Sequence, residues 1–86
     1  MKIQAQVSIY PLKTKALARP VEQLCRALRD PALTVTTQSI STQIAGDADR
    51  VFQAVERAFQ TLAEQYSVIM ELKVSNACPG LVETER

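Results

Sequence analysis

The stretch LTVTTQSISTQIAGD, residues 33–47, decides how this chain must fold. It holds hydroxyls and amides with almost no charge, and it ends in Gly-Asp where a long helical pattern begins. As one strand, about 13 of its residues would run to roughly 43 Å at about 3.3 Å per residue, far longer than usual strands. The stretch therefore predicts a hairpin that folds back near residues 39–41. No Asn-Gly or Asp-Gly marks the turn, so its type stays open.

A strand and a helix precede this hairpin. Apolar and polar residues alternate over residues 2–10, as in a strand with one buried face. Pro11 is expected to close that strand, because proline cannot donate to a ladder. Pro20 suits the first turn of a helix, and Asp30-Pro31 should end it. The apolar stripe of this helix is Val21, Leu24, Cys25 and Leu28.

A second helix and a last strand follow the hairpin. Asp47 is predicted as the N-cap of a helix over residues 48–65, with Asp49 in its first turn. Its apolar row is Val51, Val55, Ala58 and Leu62. Phe52 and Phe59 widen this row and are expected to fill the core. Residues 67–75 alternate again, and the side chains expected to point inward are Val68, Met70, Leu72 and Val74.

The order strand, helix, strand, strand, helix, strand defines the fold class. With right-handed crossovers it predicts an α+β, ferredoxin-like βαββαβ sandwich, a four-stranded antiparallel sheet with two helices on one face. The spatial order of strands should be fourth, first, third, second. Residues 1–86 are expected to form one domain, with a loosely held tail over about 77–86.

Composition excludes several classes of function. The 86 residues are 47% hydrophobic and 22% charged, with a net charge of +1 and scattered basic residues. The sequence therefore predicts no clustered basic surface that would bind nucleic acid or an anionic membrane. No apolar run approaches the roughly 18 residues of a membrane span, and the N-terminus lacks a signal peptide's apolar region. A cytoplasmic protein is therefore expected.

The chain has no histidine, and its two cysteines, Cys25 and Cys78, form no CxxC pair. Histidine-based catalysis and histidine-containing zinc sites are therefore excluded. The count allows a disulfide as the alternative, but two reduced thiols are expected in the cytoplasm. No nucleophile–base pair or convergent carboxylates are evident. The Gly-rich anion loop of an acylphosphatase is absent, and Tyr10 is the only candidate for the exposed aromatics that RNA binding requires. We therefore expect a binding protein without a metal, and not an enzyme.

The sheet face that the helices leave uncovered is the predicted location of the functional surface. Its side chains are predicted to be mostly neutral hydrogen-bonding groups, Gln6 among them, together with Lys73 and with Glu71 as the only acidic residue. Such a face suits a surface partly covered by a ligand or a second subunit, and a solvated polar face is the competing interpretation. The second strand is a Thr-rich edge with little charge to block pairing. We expect self-association through an edge strand, the open face, or both.

Three segments resemble a known family. They are VSIYPL (7–12), STQIAGDADRVFQAVERAF (41–59) and VSNACPG (74–80). Their order and spacing are similar to those of the thiamine- and hydroxymethylpyrimidine-binding (YkoF-like) family of small ferredoxin-like proteins. The resemblance implies binding of thiamine or its hydroxymethylpyrimidine moiety without catalysis, in a homodimer or homotetramer. The alternative is an oligomerisation module whose polar sheet face has no small-molecule ligand.

The matched motifs, together with the open face, nominate a set of ligand-binding residues. They are Ser8, Tyr10, Ser41, Thr42, Glu71 and Asn76. The serines would hydrogen-bond the pyrimidine, Tyr10 would form a ring wall, and Glu71 would be the counter-charge of the thiazolium. Each also has a structural interpretation: Tyr10 as a plug at the strand end, Ser41 and Thr42 as turn residues, and Glu71 paired with Lys73.

Overall fold

A computed structural model describes residues 1–15, 18–38 and 41–77 of the chain. The elements along it are β1 (Lys2–Leu12), α1 (Ala18–Ala27), β2 (Thr34–Gln38), β3 (Ser41–Asp47), α2 (Ala48–Ala63) and β4 (Ser67–Ser75). The predicted βαββαβ order and ferredoxin-like α+β fold are confirmed. The predicted loose tail and Cys78 lie outside the described residues.

The four strands form one antiparallel sheet in the predicted order, β2-β3-β1-β4. β1 pairs with β3 from Lys2↔Asp47 to Ser8↔Ser41. On its other side it pairs with β4 from Gln4↔Ser75 to Leu12↔Ser67. The predicted hairpin is formed by β2 and β3, while residues 39 and 40 at its turn lie outside the described residues.

The prediction that Pro11 closes the first strand is wrong. β1 continues through Pro11, which lies opposite Val68 of β4, to Leu12. Among the residues that the structure describes, the pairing of β1 with β3 runs no further than Ser8, and Pro11 is paired only with β4. The missing N–H of a proline is tolerated at such a position because the strand is locally an edge.

Both helices differ slightly from their predicted bounds. α1 begins at Ala18, with Pro20 buried in its first turn, and ends at Ala27, before Asp30-Pro31. α2 begins at Ala48 as predicted and ends at Ala63. Asp47 holds the N-cap position, but its side chain makes no cap hydrogen bond. It forms an ion pair with Lys2 instead, with Nζ and Oδ1 3.4 Å apart.

The core lies between the sheet and the two helices, and the odd-numbered residues of β1 form its floor. The side chains of Ala5, Val7 and Ile9 are almost fully buried there. Ile44 of β3 lies beside Ala5 on the same face. The core is completed by helix-layer residues: Leu24 of α1, Leu28 just after it, and Val51, Ala54, Ala58 and Leu62 of α2. The even-numbered residues of β1 consequently point to the opposite, open face, because side chains alternate along a strand.

The prediction that Phe52 and Phe59 fill the core is wrong, since their side chains are 48% and 40% exposed. Arg57 explains why, because its Nε donates to the Ala27 carbonyl oxygen at 3.2 Å and so fixes one flank of α2 against α1. Arg50 lies on the same flank and is paired with Asp30. Each phenylalanine follows one of these arginines by two positions, about 200° around the helix. Both rings therefore lie on the flank that faces away from α1.

β4 also leaves apolar side chains uncovered. Val68 and Met70 pack against the core as predicted. Leu72 and Val74 lie on the same face of the strand but remain 37% and 42% exposed. The alternation was predicted correctly, and the exposure follows from the position of β4 at the end of the sheet. α2 packs across β3, β1 and β4, and it leaves these two side chains of the edge strand partly uncovered.

The close approach at Gly46 generates a prediction about stability. A Cβ added there would lie 2.5 Å from Leu33 Cδ2 and 3.0 Å from the Ala32 carbonyl oxygen. Gly46→Ala should therefore lower the free energy of unfolding by about 1–3 kcal/mol, as overpacking does. Urea denaturation measures this change. Ala45→Ser, which adds one atom at the next position on the open face, should have a much smaller effect, and equal effects of the two would contradict the argument.

Candidate functional site

A cavity of about 240 Å³ lies on the open face of the sheet, across β3, β1 and β4. Its lining residues are Gln6, Ser8, Tyr10, Ser41, Glu71 and Lys73. The strand register brings these residues together, because Ser8 lies opposite both Ser41 of β3 and Glu71 of β4. Paired residues of neighbouring strands project their side chains from the same face, about 4.5–5.5 Å apart.

Two side-chain hydrogen bonds order this cavity. The Tyr10 hydroxyl donates to Glu71 Oε1 at 3.1 Å, along a diagonal between β1 and β4. Gln6 Nε2 donates to Ser41 Oγ at 3.4 Å, between β1 and β3. Ser41 is buried, while Tyr10 is 40% exposed and presents its ring to the open side. The cavity therefore has a polar floor that can donate and accept hydrogen bonds, with an aromatic ring at one end.

Four of the six sequence-nominated residues come together here: Ser8, Tyr10, Ser41 and Glu71. Gln6 and Lys73 also line the cavity but were not nominated, although both were placed on the open face. The strand register would have identified them, since Gln6 and Lys73 are paired with each other two positions from the Ser8–Glu71 pair. Only the pairing of β1 with β4 makes these four residues neighbours.

Thr42 does not join this group. It lies opposite Val7 on the helix-facing side of the sheet and is fully buried. Its Oγ1 has no hydrogen-bond partner among the described residues. Thr42 and Ser41 are adjacent in sequence, and adjacent residues of a strand point to opposite faces. The side chain of Thr42 is therefore part of the core and separated from the cavity by the sheet.

Asn76 is also remote from the cavity. It is an exposed residue that follows the end of β4, where Ser75 lies opposite Gln4. It is five positions along the chain from Glu71, or roughly 16 Å at about 3.3 Å per residue. The structure thus places Asn76 just after the end of β4, away from the cavity.

The expectation that Glu71 is the only acidic residue on the open face is wrong. Asp47, opposite Lys2 at the far end of β3, shares this face. It was assigned only to helix capping in the sequence, and its carboxylate is paired with Lys2. Glu71 nevertheless remains the acidic residue of the cavity itself.

Glu71 sets the electrostatics of the cavity. Its hydrogen bond and its negative charge raise the pKa of Tyr10, because both favour the protonated phenol. Tyr10 is therefore a hydrogen-bond donor at neutral pH. Lys73 adds one positive charge, so the cavity lining carries one charge of each sign among otherwise neutral groups.

The raised pKa of Tyr10 predicts a pH dependence. Since the folded pKa lies above the ordinary value of about 10, the Tyr10–Glu71 interaction stabilises the fold below that pH and is lost as the pH rises through the raised value. Glu71→Gln should lower the pKa of Tyr10 toward its ordinary value. Phenolate absorbance measures it in a Tyr66→Phe background, where Tyr10 is the only tyrosine. Asp47→Asn is the matched control, and an equal shift in both variants would contradict the assignment.

The buried hydroxyl of Thr42 predicts a gain of stability on its removal. Thr42→Val keeps the shape of the side chain and removes the unpartnered Oγ1 from the core. The free energy of unfolding should rise by about 1 kcal/mol, because an unsatisfied buried polar group is costly. Urea denaturation provides the measurement, and a loss of stability would show that the hydroxyl makes a favourable interaction.

In residues 1–15, 18–38 and 41–77, no group of three or more Cys, Asp or Glu side chains is placed to hold a metal ion. Neither helix in that part of the chain is both long and apolar enough to cross a membrane.

Solved structures share this fold. A hypothetical protein from Methanocaldococcus jannascii is 28% identical, with a TM-score of 0.80 over 87% of this chain and 79% of its own. A protein from Streptococcus pneumoniae is 16% identical, with a TM-score of 0.81 over 96% and 99% of the two chains. A candidate thiamine biosynthesis/salvage protein from Thermotoga maritima is 12% identical, with a TM-score of 0.80 over 100% of both chains. The last two likenesses show the fold alone.

A search of curated proteins finds no match. The family comparison is decisive, because residues 5–78 match the family described as thiamine-binding protein. The match runs from within β1 to beyond the end of β4 and includes every residue that lines the cavity. The chain therefore belongs to the thiamine-binding protein family.

Proposed function

We propose that this protein binds thiamine or its hydroxymethylpyrimidine moiety on the open sheet face, without catalysis, as a homo-oligomer. The observation that carries the proposal is the convergence of Ser8, Tyr10, Ser41 and Glu71 on one cavity in a chain of the thiamine-binding family. The proposed site consists of these four residues together with Gln6 and Lys73. Thr42 and Asn76 are left out of it because of their positions.

The floor of the cavity suits an aminopyrimidine. Such a ring offers nitrogen acceptors and an exocyclic amine donor, and a serine hydroxyl can both donate and accept. Ser8 lies between two polar neighbours, Ser41 and Glu71, in the register of the sheet. The Gln6 amide adds a donor and an acceptor beside Ser41. A flat heterocycle placed over Ser8 would therefore find hydrogen-bonding groups from three strands.

The end of the cavity near Tyr10 suits the thiazolium of intact thiamine. A cation is attracted both by a carboxylate and by an aromatic face, and Tyr10 and Glu71 are joined by a hydrogen bond. Lys73 lies two residues along the same strand face, roughly 7 Å from Glu71. The proposal therefore places the thiazolium on the Tyr10 side of Glu71, away from the Lys73 ammonium.

The cavity is incomplete as a pocket in a single chain. Its volume of about 240 Å³ falls below the roughly 300–1,000 Å³ of typical ligand sites. Tyr10 is 40% exposed, so its ring covers the site from one side only. A second copy that covers part of the open face would bury the ligand further, which supports oligomeric binding.

Calorimetric titration with thiamine and with free hydroxymethylpyrimidine tests the proposal. Both compounds should bind, since the pyrimidine makes most of the hydrogen bonds. Glu71→Gln should weaken thiamine about tenfold and the uncharged pyrimidine much less, because only thiamine carries the cation that the carboxylate attracts. Equal losses for the two ligands would contradict the counter-charge role of Glu71.

Matched variants locate the site. Ser8→Ala should weaken both ligands by about 5–10-fold, the usual effect of one lost hydrogen bond. Tyr10→Ala should weaken thiamine more than the pyrimidine. Asp47→Asn makes the same charge change as Glu71→Gln at the far end of the face and should leave both affinities unchanged. If neither ligand binds at millimolar concentration, the alternative of an assembly module without a small-molecule ligand is favoured.

A further inference from the structure

A second cavity lies on the helix side of the molecule, in a groove between α1 and α2. Its volume is about 330 Å³, and it shares no lining residue with the cavity on the open sheet face. Three of its lining residues are arginines, Arg26, Arg29 and Arg57, and the others are neutral. The groove is therefore a local concentration of positive charge on a chain whose net charge is only +1.

The side chains along the two helices explain the shape of the groove. At one end, Gln23 Nε2 of α1 donates to Oε1 of Gln65, just after α2, at 3.1 Å. About two turns earlier along α2, Arg57 forms a second bridge by donating to the Ala27 carbonyl oxygen. Between the bridges lie the small side chain of Ala27 and that of Thr61, whose hydroxyl donates back to the Arg57 carbonyl oxygen at 2.9 Å. These two short side chains leave a depression between the helices.

The guanidinium of Arg57 is already fixed at the rim of this depression. Its Nε donates to the Ala27 carbonyl oxygen at 3.2 Å, and its Nη2 donates to the Arg29 carbonyl oxygen at 3.4 Å. These bonds also offset the negative end of the α1 dipole, which would otherwise repel an anion. Its Nη1 makes no hydrogen bond within the described residues, so donors remain for a ligand. A donor held in place in this way lowers the entropic cost of binding.

Arg26 and Arg29 bring two further guanidinium groups, and neither is strongly engaged. Arg26 forms an ion pair with Glu22 at 3.8 Å, but the two side chains are 73% and 66% exposed. Such an exposed pair contributes little, because water screens it. Arg29 is exposed and forms no ion pair with any residue that the structure describes. Both side chains are therefore able to bind an anion in the groove.

We propose that this groove is a second ligand site, which binds the phosphate group of a small phosphorylated polyol or sugar. The terminal oxygens of a phosphate accept hydrogen bonds from several directions, as three guanidinium groups around a groove require. A planar carboxylate, in contrast, is satisfied by a single guanidinium. The volume is within the roughly 300–1,000 Å³ of small-molecule sites, which leaves room for an organic group beside the phosphate. This site is independent of the proposed thiamine binding.

The Gln23 end of the groove favours a ligand that carries hydroxyl groups. Gln23 Nε2 is used by Gln65, while Gln23 Oε1 is buried and has no hydrogen-bond partner among the described residues. An unpartnered buried acceptor costs free energy, and a ligand hydroxyl that donates to it would remove that cost. The polyol part of the ligand would therefore lie over Ala27 toward the two glutamine amides, with its phosphate at the arginines.

Titration of ¹⁵N-labelled protein, followed by NMR in phosphate-free buffer at constant ionic strength, tests the site. The probes are glycerol 3-phosphate, inorganic phosphate and glycerol. Glycerol 3-phosphate should shift the amide signals of Ala27, Arg29 and Thr61 saturably, and it should bind about threefold or more tighter than inorganic phosphate, because it adds hydroxyl groups. Glycerol alone should shift none of them. Shifts that are equal for glycerol, or no saturable shift at about 20 mM glycerol 3-phosphate, would overturn the proposal.

Matched charge variants locate the phosphate. Arg29→Gln should weaken glycerol 3-phosphate about tenfold, the effect of losing a charge-assisted hydrogen bond. Arg19→Gln makes the same charge change in the first turn of α1, outside the groove, and should leave the affinity unchanged. Glu22→Gln should strengthen binding about twofold, because it releases Arg26 from its ion pair. Equal weakening by Arg19→Gln and Arg29→Gln would overturn the proposed site. Arg57 is kept in these variants because it also holds α1 against α2.

A nucleic acid is the competing occupant of an arginine-lined groove. A single-stranded oligonucleotide that shifts the same amides at lower concentration than glycerol 3-phosphate, with an affinity that falls steeply as salt is added, would overturn the small-molecule site. Thiamine titration into Arg29→Gln should give the wild-type affinity, because the open-face cavity lies on the other side of the sheet. Failure of the groove and failure of thiamine binding are therefore distinguishable.

Discussion

The pairing of β1 on both sides is the constraint on which the rest of the structure depends. Because this strand is bonded to β3 and β4 at once, each of its side chains must point either to the helices or to the open face. Ala5, Val7 and Ile9 supply the floor of the core, and Gln6, Ser8 and Tyr10 supply the floor of the cavity. Core and site are two sides of one strand, so a register shift of one residue would exchange them.

The same alternation explains which part of the candidate site could be predicted. Ser8 and Tyr10 share a face by their spacing, and the position of Glu71 on the open face followed from the pattern of the last strand. Thr42 shows the limit of motif reasoning, because it was nominated together with Ser41 although neighbours in a strand cannot face the same side. Gln6 and Lys73 were missed for another reason. Whether they lie next to Ser8 depends on the register in which β4 pairs with β1. The pattern of either strand alone does not determine that register.

The exposed apolar residues show how the position of an element in the fold overrides its pattern. Phe52 and Phe59 extend the apolar row of α2, yet Arg57 holds the opposite flank of the helix against α1 and turns both rings outward. Leu72 and Val74 have the inward alternation of a buried strand, but their strand is the last one of the sheet. In both cases the pattern identified a surface that avoids water. The pattern did not show whether other residues of the same chain bury that surface.

The sequence by itself determined the order and type of every element and the sheet topology. It also determined the faces of β1 and β4, because these follow from local periodicity, turn residues and the handedness of βαβ connections. The resemblance in three segments pointed to the family to which the chain belongs. Only the tertiary structure decided the register between β1 and β4, the rotation of α2 and the burial of Thr42. These features depend on contacts between residues far apart in the chain. The sequence of a single segment does not determine the free energies of those contacts.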